Sequence, residues 1–236
     1  MRQIRIILML FMSSILFTGC FEMIEEVNHN SKKGTGTYKF VIDMSGAKMM
    51  LEMAAAMDTT GQVTLDTLGA VSKEFFNKVD GLSGISNIKE VNDSKNYIFG
   101  VQFDYSSIAA LNVAAGQLFE DGQLNSGAGE TLFQGTKKRF ERLDVSAFSS
   151  MLDQMMGTGG IEGGGEEMEM IKTFMGDVSY TMVYTFDKKV KKMSNDQATL
   201  SSDKKTVTHK YFLFDENRGG SNGTLENIIK LKGGLF

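Results

Sequence analysis

The chain has 236 residues, of which 42% are hydrophobic and 23% are charged, and its formal net charge at pH 7 is −4. A negative net charge disfavours binding to nucleic acid or to anionic lipid headgroups, since both attract basic surfaces. The single cysteine excludes an intramolecular disulfide, so the fold must depend mainly on an apolar core.

The first nineteen residues have the three parts of a secretory signal peptide. Arg2 and Arg5 precede the apolar run IILMLFMSSILF over 6–17, and small residues come before Cys20. This run is shorter than the roughly 20 apolar residues that a spanning helix needs, although a retained N-terminal anchor is an alternative. Without 1–19, which contain two of the 25 basic residues and no acid, 23 basic and 29 acidic residues remain, a formal charge of −6.

Residues 16–20, LFTGC, resemble the lipobox of bacterial lipoproteins, in which a diacylglycerol is attached to the cysteine thiol before cleavage. The resemblance implies a mature chain that begins at a lipidated Cys20, with acyl chains such as palmitate that hold it stably in a membrane of the cell envelope. Phe21 follows the cysteine where an acidic residue can mark inner-membrane retention, so the family rule favours the outer membrane.

The first half of the chain predicts a tether followed by mixed strands and helices. Residues 20–36 are polar with little periodicity, which predicts a flexible tether before a single domain over 37–236. A strand is predicted over 37–44, because apolar and polar residues alternate there. A cap at Ser106 predicts the start of a helix. The other predicted elements are helices over 47–57 and 65–79 and a hairpin of strands over 85–91 and 97–103.

The second half predicts further strands around a glycine-rich loop over 157–165, GTGGIEGGG, which is flanked by predicted helices. Strands over 178–214 are predicted to form an antiparallel meander, and 224–231 predicts a short final helix. The remaining predicted elements are strands over 132–136 and 140–145 and helices over 146–156 and 166–175. Because strands and helices mix without regular βαβ alternation, the fold class is predicted to be α+β, an antiparallel sheet with helices packed on one face.

No catalytic motif was found in the sequence. It contains no G-x-S-x-G elbow, no Walker A motif and no G-x-G-x-x-G after a strand. His29 in the predicted tether and His209 in a predicted strand are too few for a zinc centre, and His209 is expected to pack in the core. Paired acids such as Glu25 and Glu26 are interpreted as solvated surface. We therefore expect no enzyme, no cofactor and no metal site.

Methionine usage is the feature that most suggests a function. Three of the 17 methionines lie in the leader, and the rest concentrate over 44–57 and 151–175. Methionine is flexible and recurs on promiscuous apolar binding surfaces. Two methionine-rich helices beside the glycine loop could form a lid over an apolar ligand, although the same residues could simply fill a core. The candidate ligand-binding residues are Met151, Met155, Met156, Met168, Met170 and Phe174.

The run over 180–214, YTMVYTFDKKVKKMSNDQATLSSDKKTVTHKYFLF, also resembles lipoprotein domains of the mycobacterial type. The resemblance implies helices packed on an antiparallel sheet and the binding of lipid, and it transfers no site residue. The sequence therefore predicts an envelope lipoprotein that binds an apolar ligand or lipid. A structural or assembly partner of other envelope proteins is the alternative, and a hydrolase is the third hypothesis.

Overall fold

A computed structural model of the protein describes residues 21–57, 65–119, 131–143, 178–212 and 224–233. The helices are α1 (Lys48–Met57), α2 (Leu65–Val79) and α3 (Ile108–Phe119), and a 3-10 turn over Ser45–Ala47 precedes α1. The strands are β1 (Glu22–Asn30), β2 (Thr35–Asp43), β3 (Ile85–Asp93), β4 (Ile98–Tyr105), β5 (Phe133–Thr136), β6 (Arg139–Arg142), β7 (Ser179–Phe186), β8 (Val190–Met193), β9 (Thr199–Leu200), β10 (Thr206–Phe212) and β11 (Asn227–Leu231).

The strands form two sheets, and the fold class is α+β as predicted. The larger sheet has the order β3-β4-β2-β1-β7-β10-β9, and the smaller one has the order β5-β6-β11-β8. Strand β1 pairs antiparallel with β2 and parallel with β7, so it lies in the middle of the larger sheet. A parallel pair cannot close through a hairpin, so the chain between β1 and β7 makes a crossover that includes the helices and part of the smaller sheet.

The direction of β1 defines two ends of the domain. We call the end where β1 begins the proximal end and the end where it finishes the distal end. The nine residues of β1 rise about 3.3 Å each, which separates the two ends by about 30 Å. Strands β4 and β7 run in the direction of β1, and β2, β3 and β10 run against it. Each turn of the larger sheet can therefore be assigned to one end.

One face of the larger sheet packs on both the helices and the smaller sheet. Tyr38 and Phe40 of β2 share that face because they are two residues apart. The Phe40 ring lies 5.7 Å from that of Phe75 on α2, and the Tyr38 ring lies 6.2 Å from that of Phe133 on β5. The predicted packing of helices on one face is confirmed for α2, and the second sheet on that face was not foreseen.

The predicted tether over 20–36 is wrong, because residues 22–30 form β1 and are paired on both sides. Met23, Glu25, Val27 and His29 point into the protein, and the residues between them are more exposed. This is the period of two that defines a strand. Two of the four inward positions carry ionisable side chains, so the segment looks uniformly polar in sequence.

Three smaller corrections concern local assignments. Strand β8 pairs with β11 in the smaller sheet, so it does not continue the predicted meander. The predicted final helix is strand β11, whose alternate residues Asn227, Ile229 and Leu231 are buried between two neighbouring strands. The cap of α3 is Ser107, whose hydroxyl accepts a hydrogen bond from the Ala110 amide at 3.1 Å, and not Ser106. The glycine-rich segment over 157–165 and the segments beside it that were predicted to be helices lie outside the described residues.

Candidate functional site

The residues that the sequence singled out for lipidation and ligand binding lie outside the part of the chain that the structure describes, and their roles stay predictions. They are Cys20, Met151, Met155, Met156, Met168, Met170 and Phe174. The first methionine cluster, over 44–57, falls within the described residues.

An apolar helix face is exposed at the proximal end. Met49 and Met53 on α1 are 66% and 60% exposed. They are four residues apart, so they lie on the same side of the helix. Helix α1 follows β2, whose last residue, Asp43, pairs with Glu22 at the start of β1. The exposed methionines therefore lie at the end of the domain where the chain enters from Cys20.

A buried carboxylate joins the two sheets. Glu25 of β1 is fully buried, and its Oε1 accepts hydrogen bonds from the Tyr184 hydroxyl at 2.5 Å and from Arg142 Nε at 3.3 Å. Its Oε2 accepts from the hydroxyls of Tyr180 at 2.9 Å and Tyr38 at 3.2 Å. Arg142, on β6 of the smaller sheet, is also fully buried. One carboxylate thus receives four donors from two sheets.

The tyrosines of this cluster stay protonated and its arginine stays charged. Burial raises the pKa of Tyr180 and Tyr184 well above the usual range, and the negative charge of Glu25 raises it further. Burial, the largest single influence, would lower the pKa of Arg142, but the charge of Glu25 together with Tyr180 and Tyr184 raises it well above the usual range. The guanidinium also donates to the Leu143 carbonyl at 2.7 Å. Since neither charged side chain reaches solvent, the cluster is placed to connect the sheets.

A cleft of about 210 Å³ opens at the distal end, between the β1–β2 turn and the β5–β6 turn. The buried ring of His29 lies at its base, and Nδ1 of that ring lies 2.9 Å from the Tyr105 hydroxyl. Burial lowers the pKa of His29 to about 4, and attraction to Asp187 opposes this only partly, so the ring is neutral at pH 7. The lysines that line the cleft are Lys32, Lys33 and Lys137.

The carboxylate nearest to this cleft is already engaged. Asp187 Oδ1 accepts hydrogen bonds from the Ser31 amide at 2.9 Å and the Ser31 hydroxyl at 2.7 Å. These bonds hold the β1–β2 turn against the end of β7. The cleft therefore combines a neutral base with three ammonium groups, an arrangement that suits an anion.

Comparison with known proteins gives one distant likeness. No family model matches the sequence, and no curated protein matches it. Among solved structures, the chain is similar to the folded domain of LppM from Mycobacterium tuberculosis, determined by NMR, with 10% sequence identity and a TM-score of 0.38. The alignment covers 92% of this chain and 94% of that one. Neither a ligand nor a location follows from a similarity at this level.

The interpretation of Glu25 and Glu26 as a solvated pair is correct only for Glu26. Glu26 forms a partly exposed ion pair with Lys39 at 2.9 Å, whereas Glu25 is buried. Once β1 is assigned as a strand, the period of two places Glu25 on the face of Met23 and Val27, so the alternation was the missed signal. The prediction that His209 packs inside is confirmed, because it is 1% exposed.

The described residues contain neither a metal-binding cluster nor a helix that could span a membrane. In those residues, no group of three or more His, Cys, Asp or Glu side chains could hold a metal ion. None of the described helices is both long enough and apolar enough to span a bilayer.

Proposed function

We propose that this chain is an exported lipoprotein, anchored in the cell envelope through lipid on Cys20, that acts by binding an apolar ligand or lipid and not by catalysis. The observation that carries the proposal is the coincidence of two features at the proximal end. Strand β1 begins at Glu22, two residues after Cys20, and the exposed Met49 and Met53 lie at the same end.

The start of β1 sets the position of an anchored domain. With only Phe21 between Cys20 and the first strand, the lipid would hold the proximal end directly at the bilayer surface. Met49 and Met53 would then face the boundary between headgroups and acyl chains. A flexible, polarizable side chain suits irregular apolar partners such as acyl chains. The residue after the cysteine, Phe21, is the reason for assigning the anchor to the outer membrane.

The proposal of binding without catalysis is supported by where the ionisable groups lie. The set formed by Glu25, Arg142 and three tyrosines is fully buried, and Arg142 donates both to Glu25 and to the Leu143 carbonyl. Catalytic groups must reach a substrate, and perturbed pKa values also occur in structural ion-pair networks.

The anchor is tested by intact mass spectrometry of the full-length gene product purified from its envelope. We expect a mass that corresponds to loss of residues 1–19 and gain of a diacylglycerol and an acyl chain. The Cys20→Ser variant should lack the added mass and leave the membrane fraction. An unmodified wild-type mass, with the protein still held in the membrane, would refute lipidation at Cys20.

The ligand is tested by native mass spectrometry of the chain from Phe21 onward, purified gently from cells. We expect lipid bound to the wild type and lost from the Met49→Lys/Met53→Lys variant. A Val113→Lys/Leu200→Lys variant is the matched control, because it charges two other exposed apolar residues. Wild-type protein without lipid would contradict apolar-ligand binding and favour the assembly-partner hypothesis.

A parallel variant, Met155→Lys/Met170→Lys, tests the predicted lid. If lipid still binds to both methionine variants, neither of these two surfaces is part of the binding site. If lipid is lost only from the Met155→Lys/Met170→Lys variant, the predicted lid is the binding site and Met49 and Met53 are not part of it.

A further inference from the structure

Lysine side chains collect at the distal end although the chain is net negative. Three hydrogen bonds join the turns that carry them: the Lys188 side chain donates to the Lys137 carbonyl at 2.9 Å, the Lys232 amide to the Lys189 carbonyl at 2.8 Å, and the Val190 amide to the Lys204 carbonyl at 2.7 Å. The nine distal lysines are Lys32, Lys33, Lys137, Lys138, Lys188, Lys189, Lys204, Lys205 and Lys232.

The cationic surface continues onto the outer face of the smaller sheet. Lys230 of β11 is directly opposite Lys192 of β8 on one side and Arg139 of β6 on the other. All three are exposed, and the next residue of β11, Leu231, is buried. Like charges placed directly opposite each other destabilise a sheet. A cationic row that opposes folding is therefore better explained by a partner than by stability.

Few acids neutralise these cations within the described residues. Arg139 is paired with Glu141, but none of the nine distal lysines, nor Lys192 or Lys230, has a described carboxylate within 4.0 Å. Asp203 lies among the turns and accepts hydrogen bonds from the Ser201 hydroxyl at 2.6 Å and the Lys205 amide at 2.9 Å. The described surface thus offers many separate ammonium groups.

We propose that this distal lysine surface binds a flexible polyanion with repeated phosphate groups, one of which sits in the cleft at His29. The cations are almost all lysines, and lysine contacts phosphate as a point charge, whereas planar carboxylate recognition favours the bidentate guanidinium of arginine. An array that extends from the cleft across the outer face of the smaller sheet matches a chain of anions better than a single ion.

The position of the anchor favours a polymer in the aqueous compartment over a membrane surface. This step rests on the proposed function. If Cys20 is lipidated, the distal end lies about 30 Å from the anchoring bilayer, which is several times the roughly 8 Å Debye length at physiological ionic strength. The charges of that bilayer are therefore screened from the lysines.

The test uses mature protein purified from the envelope in a non-ionic detergent and labelled linear polyphosphate as the probe, with binding followed by fluorescence anisotropy at several salt concentrations. Two variants remove cations, Lys192→Gln/Lys230→Gln on the sheet and Lys33→Gln/Lys137→Gln at the cleft. The control, Lys73→Gln/Lys95→Gln, removes two exposed lysines on α2 and the β3–β4 turn with the same change in net charge.

We expect each distal variant to bind about twenty-five-fold more weakly, because each lost lysine weakens binding about fivefold. The slope of log affinity against log salt concentration should become shallower by about 1.4, because each of the two lost contacts contributes about 0.7 to it. The control should bind like the wild type. Because it relieves repulsion, the Lys192→Gln/Lys230→Gln variant should also have a raised melting temperature, which shows that weaker binding is not a folding defect.

Four results would overturn the proposal: no binding of polyphosphate at low salt, equal loss in the control, orthophosphate binding as tightly as the polymer, or binding only to phosphatidylglycerol vesicles. The last would reassign the surface to a membrane. An unlipidated mass in the earlier experiment would remove the argument from anchor position but leave the anisotropy result intact, so the two proposals can fail separately.

Discussion

The buried pair of Glu25 and Arg142 predicts a large and non-additive effect on stability. Both side chains are 0% exposed, and Arg142 Nε lies 3.3 Å from Glu25 Oε1. Replacing either one by a neutral residue leaves the opposite charge in the interior, which costs about 3–5 kcal/mol of unfolding free energy. Replacing both removes both buried charges. We therefore expect Glu25→Gln with Arg142→Met to cost less than the sum of the single variants, by about 2 kcal/mol or more.

The measurement is urea unfolding at pH 7 of the chain from Phe21 onward, carried out on the wild type, the two single variants and the double variant. The control cycle is Glu26→Gln with Lys39→Met, an ion pair of 2.9 Å on adjacent strands that is about a third exposed. The coupling free energy of this control cycle should stay below about 1 kcal/mol, as for other surface ion pairs. The argument would be refuted if the losses of unfolding free energy at Glu25 and Arg142 were additive, or if each single variant lost less than about 1 kcal/mol.

Three further predictions concern single residues. With a pKa of about 4 in the folded protein, His29 binds its proton at higher pH when unfolded, so stability should fall as pH drops from 6.5 towards 4; an NMR titration midpoint near 6.5 would contradict this. An added Cβ at Gly100 would lie 2.1 Å from the Phe40 carbonyl oxygen, whereas one at Gly116 on α3 meets nothing within 4 Å. Unfolding curves should show that Gly100→Ala destabilises by about 1–3 kcal/mol and that Gly116→Ala stabilises by about 0.5–1 kcal/mol; equal effects would count against the backbone geometry. Loss of the α3 cap in Ser107→Ala should cost about 1 kcal/mol on the same curves, and no change would move the cap elsewhere.

Sequence patterns predicted the elements whose inward faces are continuously apolar. In β7, Tyr180, Met182, Tyr184 and Phe186 alternate without interruption, and the predicted strand matches the observed one closely. In β1 the inward face includes Glu25 and His29, which are stabilised by partners more than 70 residues away in sequence. Local periodicity cannot supply those partners, so a central strand looked like a polar tether.

Strand β11 was missed for a related reason. The segment NIIKL is short, and a short apolar run fits a strand and a helix equally well by periodicity. Its neighbours β6 and β8 lie far apart in sequence, and their pairing decides its conformation. Non-local pairing, and not local propensity, determined the second sheet.

The distal surface had a signal in the sequence that net charge concealed. Five Lys-Lys pairs occur in the sequence, of which 191–192 lies within β8, and those at 32–33, 137–138, 188–189 and 204–205 lie between two strands or at the end of one. The fold brings these turns to one end, together with the acids Asp187 and Asp203. The inference that a net negative chain avoids anionic partners rests on the average charge, whereas the lysines of the four pairs in these turns lie at one end of the domain.

The path of β1 explains why the two ends differ. Because β1 starts two residues after Cys20 and crosses the middle of the larger sheet, every strand paired with it places one terminus at the proximal end and the other about 30 Å away. The exposed methionines follow the proximal end of β2, and the lysine pairs occupy distal turns. One strand direction therefore places the exposed methionines at the proximal end and the lysine pairs at the distal end.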